Sequence, residues 1–514
     1  MEHFDIIVIG SGAGGGTLVH QLADTGKQIL LLERGDYLAR EKQNWSSESV
    51  WGEVRYRNSG RWTDGAKGSQ FLPKQHYYVG GNTKFYGAVL FRMREHDFGA
   101  VQHVDGESPP WPITYNDLEP YYTRAETLYH VHGEHGIDPT EPRASAPYPN
   151  PPITDEPRIA QLRADLTRRG LHPFPLPVGV MIDEANPSTS ACIRCDTCDG
   201  YPCLANAKSD AQVVCVDPAL RNPNVHLRTG AFVSKLVTAD DGRRVKEVVV
   251  VRGGAEERYS ADIIVVSAGA INSSALLLRS TNEHHLDGLG NRSGTVGRHL
   301  MLHNNSTLIA ISKTENPTKF QKTLGVNDFY SGDPFDPDWR YPLGAMQMLG
   351  KSDAFTMSLD APESDDPASL ARHSLDLWLT TEDLPLWENR VVADADGGIT
   401  LHHTTSNLTA HARLVERWKG MLESLGCHDT AFDRPTYLGG KLGLNGVAHQ
   451  NGTIRFGHDP ATSALDVNCK LHDVDNCYVV DASFFVSSSA VNPTLTIVAN
   501  AIRVADHLRE RLSG

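Results

Sequence analysis

A glycine-rich turn follows the first apolar segment of this 514-residue chain. Residues 4–9 predict a buried parallel strand, and residues 17–25 predict the helix after the turn. The turn reads Gly10-Ser11-Gly12-Ala13-Gly14-Gly15 and has the G-x-G-x-x-G spacing of a dinucleotide-binding βαβ unit. The first glycine allows the tight turn, the second admits a pyrophosphate to the backbone, and the third allows close packing of helix and strand.

An acidic residue ends the second predicted strand. Residues 29–32 are apolar, and Glu33 follows them 23 residues after Gly10. A carboxylate at this position accepts hydrogen bonds from the adenosine ribose and disfavours a 2′-phosphate, so NADP is not expected. Strand, turn, helix and terminal acid together predict a dinucleotide site rather than a merely tight βα turn.

Composition narrows the classes of partner. Asp and Glu number 63 against 48 Lys and Arg, which gives a formal charge of −15, so nucleic acid is not an expected partner. No apolar stretch approaches the roughly 20 residues needed to span a bilayer, and residues 1–4 lack the basic and apolar regions of a secretion signal. We therefore expect a cytoplasmic protein without membrane contact; a homo-oligomer is left open.

The predicted elements change character along the chain. Residues 225–251 predict a meander of short strands, and residues 374–379 alternate as in an antiparallel sheet with one exposed face. Residues 478–481 predict a strand, and a long helix follows it. The expected fold is α/β, a Rossmann-like dinucleotide-binding domain interleaved with an α+β substrate-binding domain built on an antiparallel sheet. The expected divisions are 1–100, 200–300 and 446–514 for the first domain, 101–199 for a connecting segment with a cysteine-rich loop, and 301–445 for the second domain.

Five ordered motifs resemble the glucose–methanol–choline (GMC) oxidoreductases, from near one end of the chain to the other. They are Tyr78-Val79-Gly80-Gly81-Asn82-Thr83 with Gly87 and Arg92, Val265 to Ser273, Gly297-Arg298-His299-Leu300, His449 with Gly452 to Gly457, and Tyr478 to Ser483 with Asn492-Pro493-Thr494-Leu495-Thr496. Within that family the chain looks most like the pyranose-oxidase-like branch, which includes bacterial glycoside 3-oxidases.

The resemblance implies FAD as cofactor. Phe85 stands where pyranose oxidase has a histidine that bonds covalently to the flavin, so non-covalent FAD is expected. Gly87 stands where that relative has a threonine near flavin N5. The implied FAD contacts are Gly10, Gly12, Ala13, Gly14, Gly15, Glu33, Arg34, Gly81, Asn82, Thr83, Phe85, Tyr86, Gly87, Val233, Ala268, Gly269, Asp481, Ala482, Asn492, Pro493 and Thr494.

The resemblance also implies a reaction. His449 matches the family's catalytic base and Asn492 its partner, and a neutral imidazole suits removal of a hydroxyl proton while flavin N5 takes the hydride. The expected reaction is oxidation of a secondary ring hydroxyl of a sugar or glycoside, with C3 favoured. Oxidation of free sugars at C2, a GMC sugar or alcohol dehydrogenase with a non-oxygen acceptor, and, from another class, an NAD-dependent dehydrogenase are the alternatives. Oxygen and other electron acceptors are both left open.

Two further features of the sequence have no assigned role. The four thiols of Cys192, Cys195, Cys198 and Cys203 have spacings found in zinc and iron–sulfur sites, but free thiols or a disulfide-prone loop are the simpler interpretation, and no metal is assigned. Candidates for the substrate pocket are Trp378, Trp387 and residues 380–383, because sugars pack on aromatic faces and bond to hydroxyls and carboxylates. Arg94 and Gln347 are left unassigned.

Overall fold

The computed structural model describes residues 1–363, 365–427 and 437–513. The strands are β1 (Glu2–Ile9), β2 (Ile29–Leu32), β3 (Trp62–Asp64), β4 (Gln70–Phe71), β5 (Val101–His103), β6 (Gly106–Ser108), β7 (Val131–His132), β8 (Phe174–Pro175), β9 (Val178–Gly179), β10 (Val225–Arg228), β11 (Phe232–Thr238), β12 (Val245–Arg252), β13 (Ala255–Val266), β14 (Met301–Leu302), β15 (Asn304–Ile311), β16 (Leu324–Val326), β17 (Ala345–Met348), β18 (Ser374–Thr381), β19 (Arg390–Ala393), β20 (Ile399–His402), β21 (Tyr437–Leu438), β22 (Gln450–Asn451) and β23 (Cys477–Val479).

The helices lie between these strands. The α-helices are α1 (Ala13–Leu22), α2 (Tyr115–Leu128), α3 (Pro157–Arg168), α4 (Asp217–Ala219), α5 (Ala270–Arg279), α6 (Ala354–Ser358), α7 (Pro367–His373), α8 (Leu408–Leu422) and α9 (Thr494–Ser513). Short 3₁₀ turns are Ala23–Thr25, Lys42–Trp45, Gly81–Lys84, Glu95–Phe98 and Ala482–Phe484, and π-helical turns are Glu48–Gly52, Gln212–Val216 and Glu423–Cys427. Among the described residues, no helix combines the length and the apolar character needed to cross a membrane.

A seven-stranded sheet joins distant parts of the chain. Its order is β10-β2-β1-β13-β12-β11, and β23 pairs with the end of β13. Strands β10, β2, β1, β13 and β23 run parallel, so their carboxyl ends meet along one edge. The apolar runs of β1 and β2 are buried on both faces, as a parallel sheet covered by helices requires. This edge brings the segments after residues 9, 32, 266 and 479 together.

The predicted meander over residues 225–251 is wrong in its first strand. Strand β10 does not pair with β11; it lies parallel to β2 at the far edge of the sheet. Within this seven-stranded sheet, the antiparallel pairs are those of β11 with β12 and of β12 with the first part of β13. The local sequence of a short β-rich stretch does not indicate which distant strand it will pair with, because the pairing depends on the rest of the sheet.

A second, six-stranded antiparallel sheet has the order β21-β15-β18-β17-β16-β8. The alternating leucines of β18 face helix α8, where they pack around Leu414 and Trp418. The opposite face carries Thr307, Gln347 and Trp378, a row of cross-strand neighbours that borders the cavity described below. The expectation of an exposed face on β18 is therefore wrong, because the strand is buried on both sides.

Candidate active site

One cavity of about 600 Å³ extends between the carboxyl edge of the parallel sheet and the antiparallel sheet. It reaches from Glu33 past the turn between β1 and α1 to His449 and Asn492. Of the residues expected to contact the cofactor, all line this cavity except Gly15. Tertiary folding thus brings together positions that are more than 480 residues apart.

The glycines of the first turn have separate tasks. A β-carbon on Gly10 would collide with the Ser267 carbonyl, and the φ of +102° at Gly10 is one that L side chains rarely adopt. A β-carbon on Gly14 would collide with the carbonyl of Val480. Gly15 has a packing role, because the absence of a β-carbon allows helix α1 to pack on the backbone of Gly10.

Gly12 differs from these three glycines. A β-carbon there would meet no protein atom within 4 Å, and its φ of −71° is ordinary. The space beside Gly12 therefore belongs to the cavity, directly at the N-terminus of α1, where unpaired N–H groups and the helix dipole favour a phosphate. This open cradle fits the pyrophosphate of a dinucleotide.

The Glu33 carboxylate closes one end of the cavity. Its Oε2 atom accepts hydrogen bonds from the Ser11 N–H at 3.1 Å and the Ser11 hydroxyl at 2.6 Å, and Oε1 accepts from the Gly35 N–H at 2.9 Å. Burial raises the pKa of Glu33, while these bonds lower it. Next to it the Arg34 guanidinium lies over the ring of Tyr77, 3.8 Å from the centroid. This end thus combines an oriented acceptor with a flat cationic surface.

Asp481 ties two chain segments together at the same edge. Its carboxylate accepts hydrogen bonds from the Gly269 N–H at 2.9 Å, the Ser273 hydroxyl at 2.5 Å and the Ser483 N–H at 2.8 Å. Burial raises the pKa of Asp481, and the serine hydroxyl bonds counteract this. The residue thereby holds the loops after β13 and β23 in place beside the cavity.

The loop after Gly80 forms one wall. Phe85 stacks on the imidazole of His76, with ring centroids 3.7 Å apart, and both residues line the cavity. The Tyr86 hydroxyl donates a hydrogen bond to the Ser209 carbonyl, and the ammonium group of Lys84 lies 2.9 Å from the Asp210 carboxylate. The wall is therefore rigid, and its aromatic surface faces the cavity.

Gly87 makes room for an ion pair that the sequence did not suggest. A β-carbon at position 87 would collide with the Lys322 ammonium, which lies 2.5 Å from the Asp199 carboxylate. The Gly350 N–H also points at this carboxylate, at 3.4 Å. The space that a threonine side chain would take is thus filled by a cation from the antiparallel-sheet segment.

His449 is held by a second histidine. The Nδ1 atoms of His303 and His449 are 3.0 Å apart, and the Nε2 atom of His303 lies 3.0 Å from the carbonyl oxygen of Ser488. Because a carbonyl only accepts, His303 carries its proton on Nε2, and its Nδ1 accepts the Nδ1 proton of His449. The Nε2 atom of His449 is then left with its lone pair, as a base requires.

The surroundings keep His449 neutral. Burial lowers the pKa of His449 well below its ordinary value, and the positive charges of His303 when protonated, Lys74 and Lys322 act in the same direction. Burial also lowers the pKa of His303. A neutral imidazole with a free Nε2 is the form that accepts a proton from an alcohol.

The other sequence candidates divide into two groups. Trp378 and Gln347 line the cavity, whereas Arg94 is buried elsewhere in an ion pair with Asp138. Trp387 is 43% exposed and lies outside the cavity lining, as do residues 380–383. Sequence reasoning missed His303, Lys322 and Lys74, for which no motif or spacing gives a local sign.

The four clustered cysteines border a small separate cavity. Cys192, Cys195, Cys198 and Cys203 are free thiols there. Burial raises the pKa of Cys198 to about 12, so its thiol is protonated at neutral pH. Across the described ranges, no three His, Cys, Asp or Glu side chains are arranged to hold a metal ion.

A glycine cradle at a helix N-terminus and a buried, oriented imidazole share one cavity, which defines a dinucleotide-dependent redox enzyme. The chain matches the GMC oxidoreductase family over residues 4–305 and again over residues 426–501. It therefore belongs to the GMC oxidoreductase family, whose cofactor is FAD, and is an oxidase or dehydrogenase acting on CH–OH groups.

Individual relatives agree with this assignment. The 6′′′-hydroxyparomomycin C oxidase of Streptomyces lividus is 32% identical and covers 98% of this chain and 92% of its own length. The paromamine 6′-oxidase of Streptomyces fradiae is 30% identical, covering 98% and 90%. The C-glycoside 3-oxidase of Microbacterium trichothecenolyticum is 27% identical over 60% of this chain and 58% of its own.

Among solved structures, pyridoxine 4-oxidase from Mesorbium loti superimposes with a TM-score of 0.66 at 19% identity, covering 98% of this chain and 99% of that one. This likeness, together with the family match, confirms the predicted fold class.

Proposed function

We propose that the protein binds FAD non-covalently and oxidises a hydroxyl group of a sugar or glycoside to a carbonyl. The observation that carries this proposal is the His303–His449 pair, which leaves a neutral base with a free Nε2 at the cavity wall. The names of three relatives, two paromomycin-type oxidases and a C-glycoside 3-oxidase, support a sugar-containing substrate. The reaction would take place in the cytoplasm, as the sequence predicts.

The proposed cofactor position follows the lining of the cavity. Glu33 would hold the adenosine ribose, the Val233 backbone would meet the adenine, and Gly12 to Gly14 would receive the pyrophosphate. The start of α9 at Asn492 to Thr494 would lie beside the flavin ring, where the positive helix end favours negative charge. The remaining proposed contacts are Gly10, Ala13, Arg34, Gly81, Asn82, Thr83, Phe85, Tyr86, Gly87, Ala268, Gly269, Asp481 and Ala482.

The chain's own residues perform the proton chemistry. His449 Nε2 accepts the proton of the substrate hydroxyl, while Asn492, which lines the same cavity, bonds to the substrate oxygen. His303 keeps the other imidazole nitrogen of His449 occupied, so the proton can arrive only at Nε2. FAD, when bound, supplies the acceptor for the hydride that leaves the carbinol carbon.

Within the sugar, we propose C3 as the oxidised position, in line with the expectation from sequence. Two of the relatives that cover almost the whole chain have names that refer to a 6‴-hydroxy compound and to a 6′ position, so a primary C6 hydroxyl is the second candidate. Free sugars oxidised at C2 form the third. NMR identification of the product from glucose and from a set of O- and C-glycosides distinguishes the three, and a 6-aldehyde or 2-keto product would overturn the C3 proposal.

The role of His449 is tested with the variant His449→Ala. We expect FAD to remain bound, with its absorbance near 450 nm unchanged, while anaerobic flavin reduction by the substrate slows by about 10²–10⁴-fold. Unchanged reduction would overturn the proposal. The rate at which the reduced protein is reoxidised in air-saturated buffer is then compared with its rate of reoxidation by an artificial quinone. This comparison separates an oxidase from a dehydrogenase that uses another acceptor.

A further inference from the structure

A lysine near the base forms no ion pair with any described residue of the protein. Lys74 lines the cavity, and the ring of Trp51 lies 5.2 Å from its ammonium group. In the part of the chain that the structure describes, neither Lys74 nor the neighbouring Arg57 forms an ion pair. The guanidinium of Arg57 lies 3.5 Å from the Asn445 carbonyl oxygen. Two neighbouring cations are thus not paired with a carboxylate among the described residues.

Two other lysines that line the cavity have polar partners within the protein. Lys322 is paired with Asp199 at 2.5 Å, and Lys351 donates to the carbonyl and hydroxyl oxygens of Ser374 at 2.8 and 2.7 Å. Asp199 also favours the charged form of Lys74, but one of its carboxylate oxygens accepts a hydrogen bond from Lys322. The positive charge of Lys74 is therefore left for a ligand, in a protein whose net charge is −15.

Burying an ammonium group that has no anionic partner is unfavourable, and the pKa of Lys74 reflects this cost. Burial, reinforced by Arg57, lowers the pKa of Lys74 to about 8, so the group is still charged at neutral pH. The groups that face it are Arg57, Asp199, His76 and His449. An anion bound beside Lys74 would offset this cost and gain a charge-assisted hydrogen bond.

We infer that the sugar substrate carries an anionic group, a carboxylate or a phosphate, and that Lys74 binds it. The inference rests on the proposed function, which places a sugar at His449. It assigns the pyrophosphate of FAD to the cradle at Gly12, so the cofactor's own charges do not account for Lys74. The positive charge of Arg57 adds to the attraction, and Lys74 acts as the residue that determines specificity.

The test compares matched glycosides with the FAD-loaded protein. Methyl β-glucuronide is set against methyl β-glucoside, glucose 6-phosphate against glucose, and methyl β-glucosaminide provides a cationic sugar. We expect kcat/KM for one of the anionic sugars to exceed that of its neutral partner by about tenfold or more. The two anionic arms tell a carboxylate from a phosphate.

Variants then assign the preference to the ammonium group. Lys74→Met should lower the ratio of kcat/KM for the anionic sugar to kcat/KM for its neutral partner by about tenfold, and Lys74→Arg should restore most of that ratio. Lys67→Met is the matched control, because Lys67 is 78% exposed and outside the cavity. FAD content at 450 nm and the flavin midpoint potential are measured for every variant.

Three results would overturn the inference. They are equal use of neutral and anionic sugars, preference for the amino sugar, and a Lys74→Met variant that lowers the flavin midpoint potential without altering the discrimination. Calorimetric binding of methyl β-glucuronide and of glucose 6-phosphate to dithionite-reduced protein separates this inference from the proposed function. If no sugar reduces the flavin but one of these anions binds in a Lys74-dependent manner, the proposed oxidation fails and the anion site stands; if neither anion binds, the anion site fails as well.

Discussion

The Nδ1 atom of His303 accepts the Nδ1 proton of His449 across 3.0 Å, and the Ser488 carbonyl fixes the proton of His303 on its opposite nitrogen. Two hydrogen bonds therefore select one tautomer of His449. His303 is only 1% exposed and does not line the cavity, whereas His449, its hydrogen-bond partner, does. It is a positioning residue, and its effect on the reaction must pass through the orientation of the base.

The pair His303→Leu and His303→Asn tests this relationship. Leucine cannot accept the Nδ1 proton of His449, so we expect flavin reduction to slow by about tenfold to a hundredfold while FAD stays bound. The Oδ1 atom of asparagine can stand where Nδ1 stands, so His303→Asn should remain within about threefold of the wild-type rate. Stopped-flow reduction under anaerobic conditions gives both values, and equal damage in the two variants would point to a packing role alone.

The pH dependence of kcat/KM follows from the lowered pKa of His449. A histidine with a depressed pKa stays neutral, and hence active as a base, to lower pH than a free imidazole of about 6.5. We therefore expect the rate to hold as the pH falls through about 6.5 and to decline only in more acidic buffer. An acid limb centred at or above 6.5 in the pH profile of flavin reduction would contradict this expectation.

Substitution by alanine should affect FAD binding at one glycine of the turn and the stability of the fold at another. At Gly12 the added methyl group enters the cavity and touches no protein atom, so Gly12→Ala should fold normally but bind FAD about tenfold or more weakly. At Gly14 it meets the Val480 carbonyl, so Gly14→Ala should lose about 1–3 kcal/mol of unfolding free energy. Thermal unfolding of the apoproteins and FAD titration separate the two effects.

Acid precipitation tests the non-covalent attachment of FAD. Because Phe85 lacks a nucleophilic atom, we expect all of the yellow flavin in the supernatant after precipitation with trichloroacetic acid. Flavin retained in the pellet would contradict the prediction. Peptide mapping would then examine His76, the imidazole that stacks on Phe85 and lines the cavity.

The dinucleotide end could be predicted because its chemistry is local. Gly10, Gly12 and Glu33 lie within one βαβ unit, whose strand, turn and helix are specified by neighbouring residues. The family resemblance extended the prediction to His449 and Asn492, and both line the cavity. Their catalytic roles stay predictions that the experiments above address.

The base end could not be predicted in the same way. Lys322 reaches Gly87 and Asp199 from the antiparallel-sheet segment, and His303 meets His449 across 146 residues. Such contacts depend on which strands become neighbours. Strand β10, whose pairing was predicted wrongly, illustrates how little a short segment reveals about its partner. Periodicity and motif spacing describe one segment at a time, whereas the tautomer of the base and the unpaired charge of Lys74 arise only when several segments are packed around one cavity.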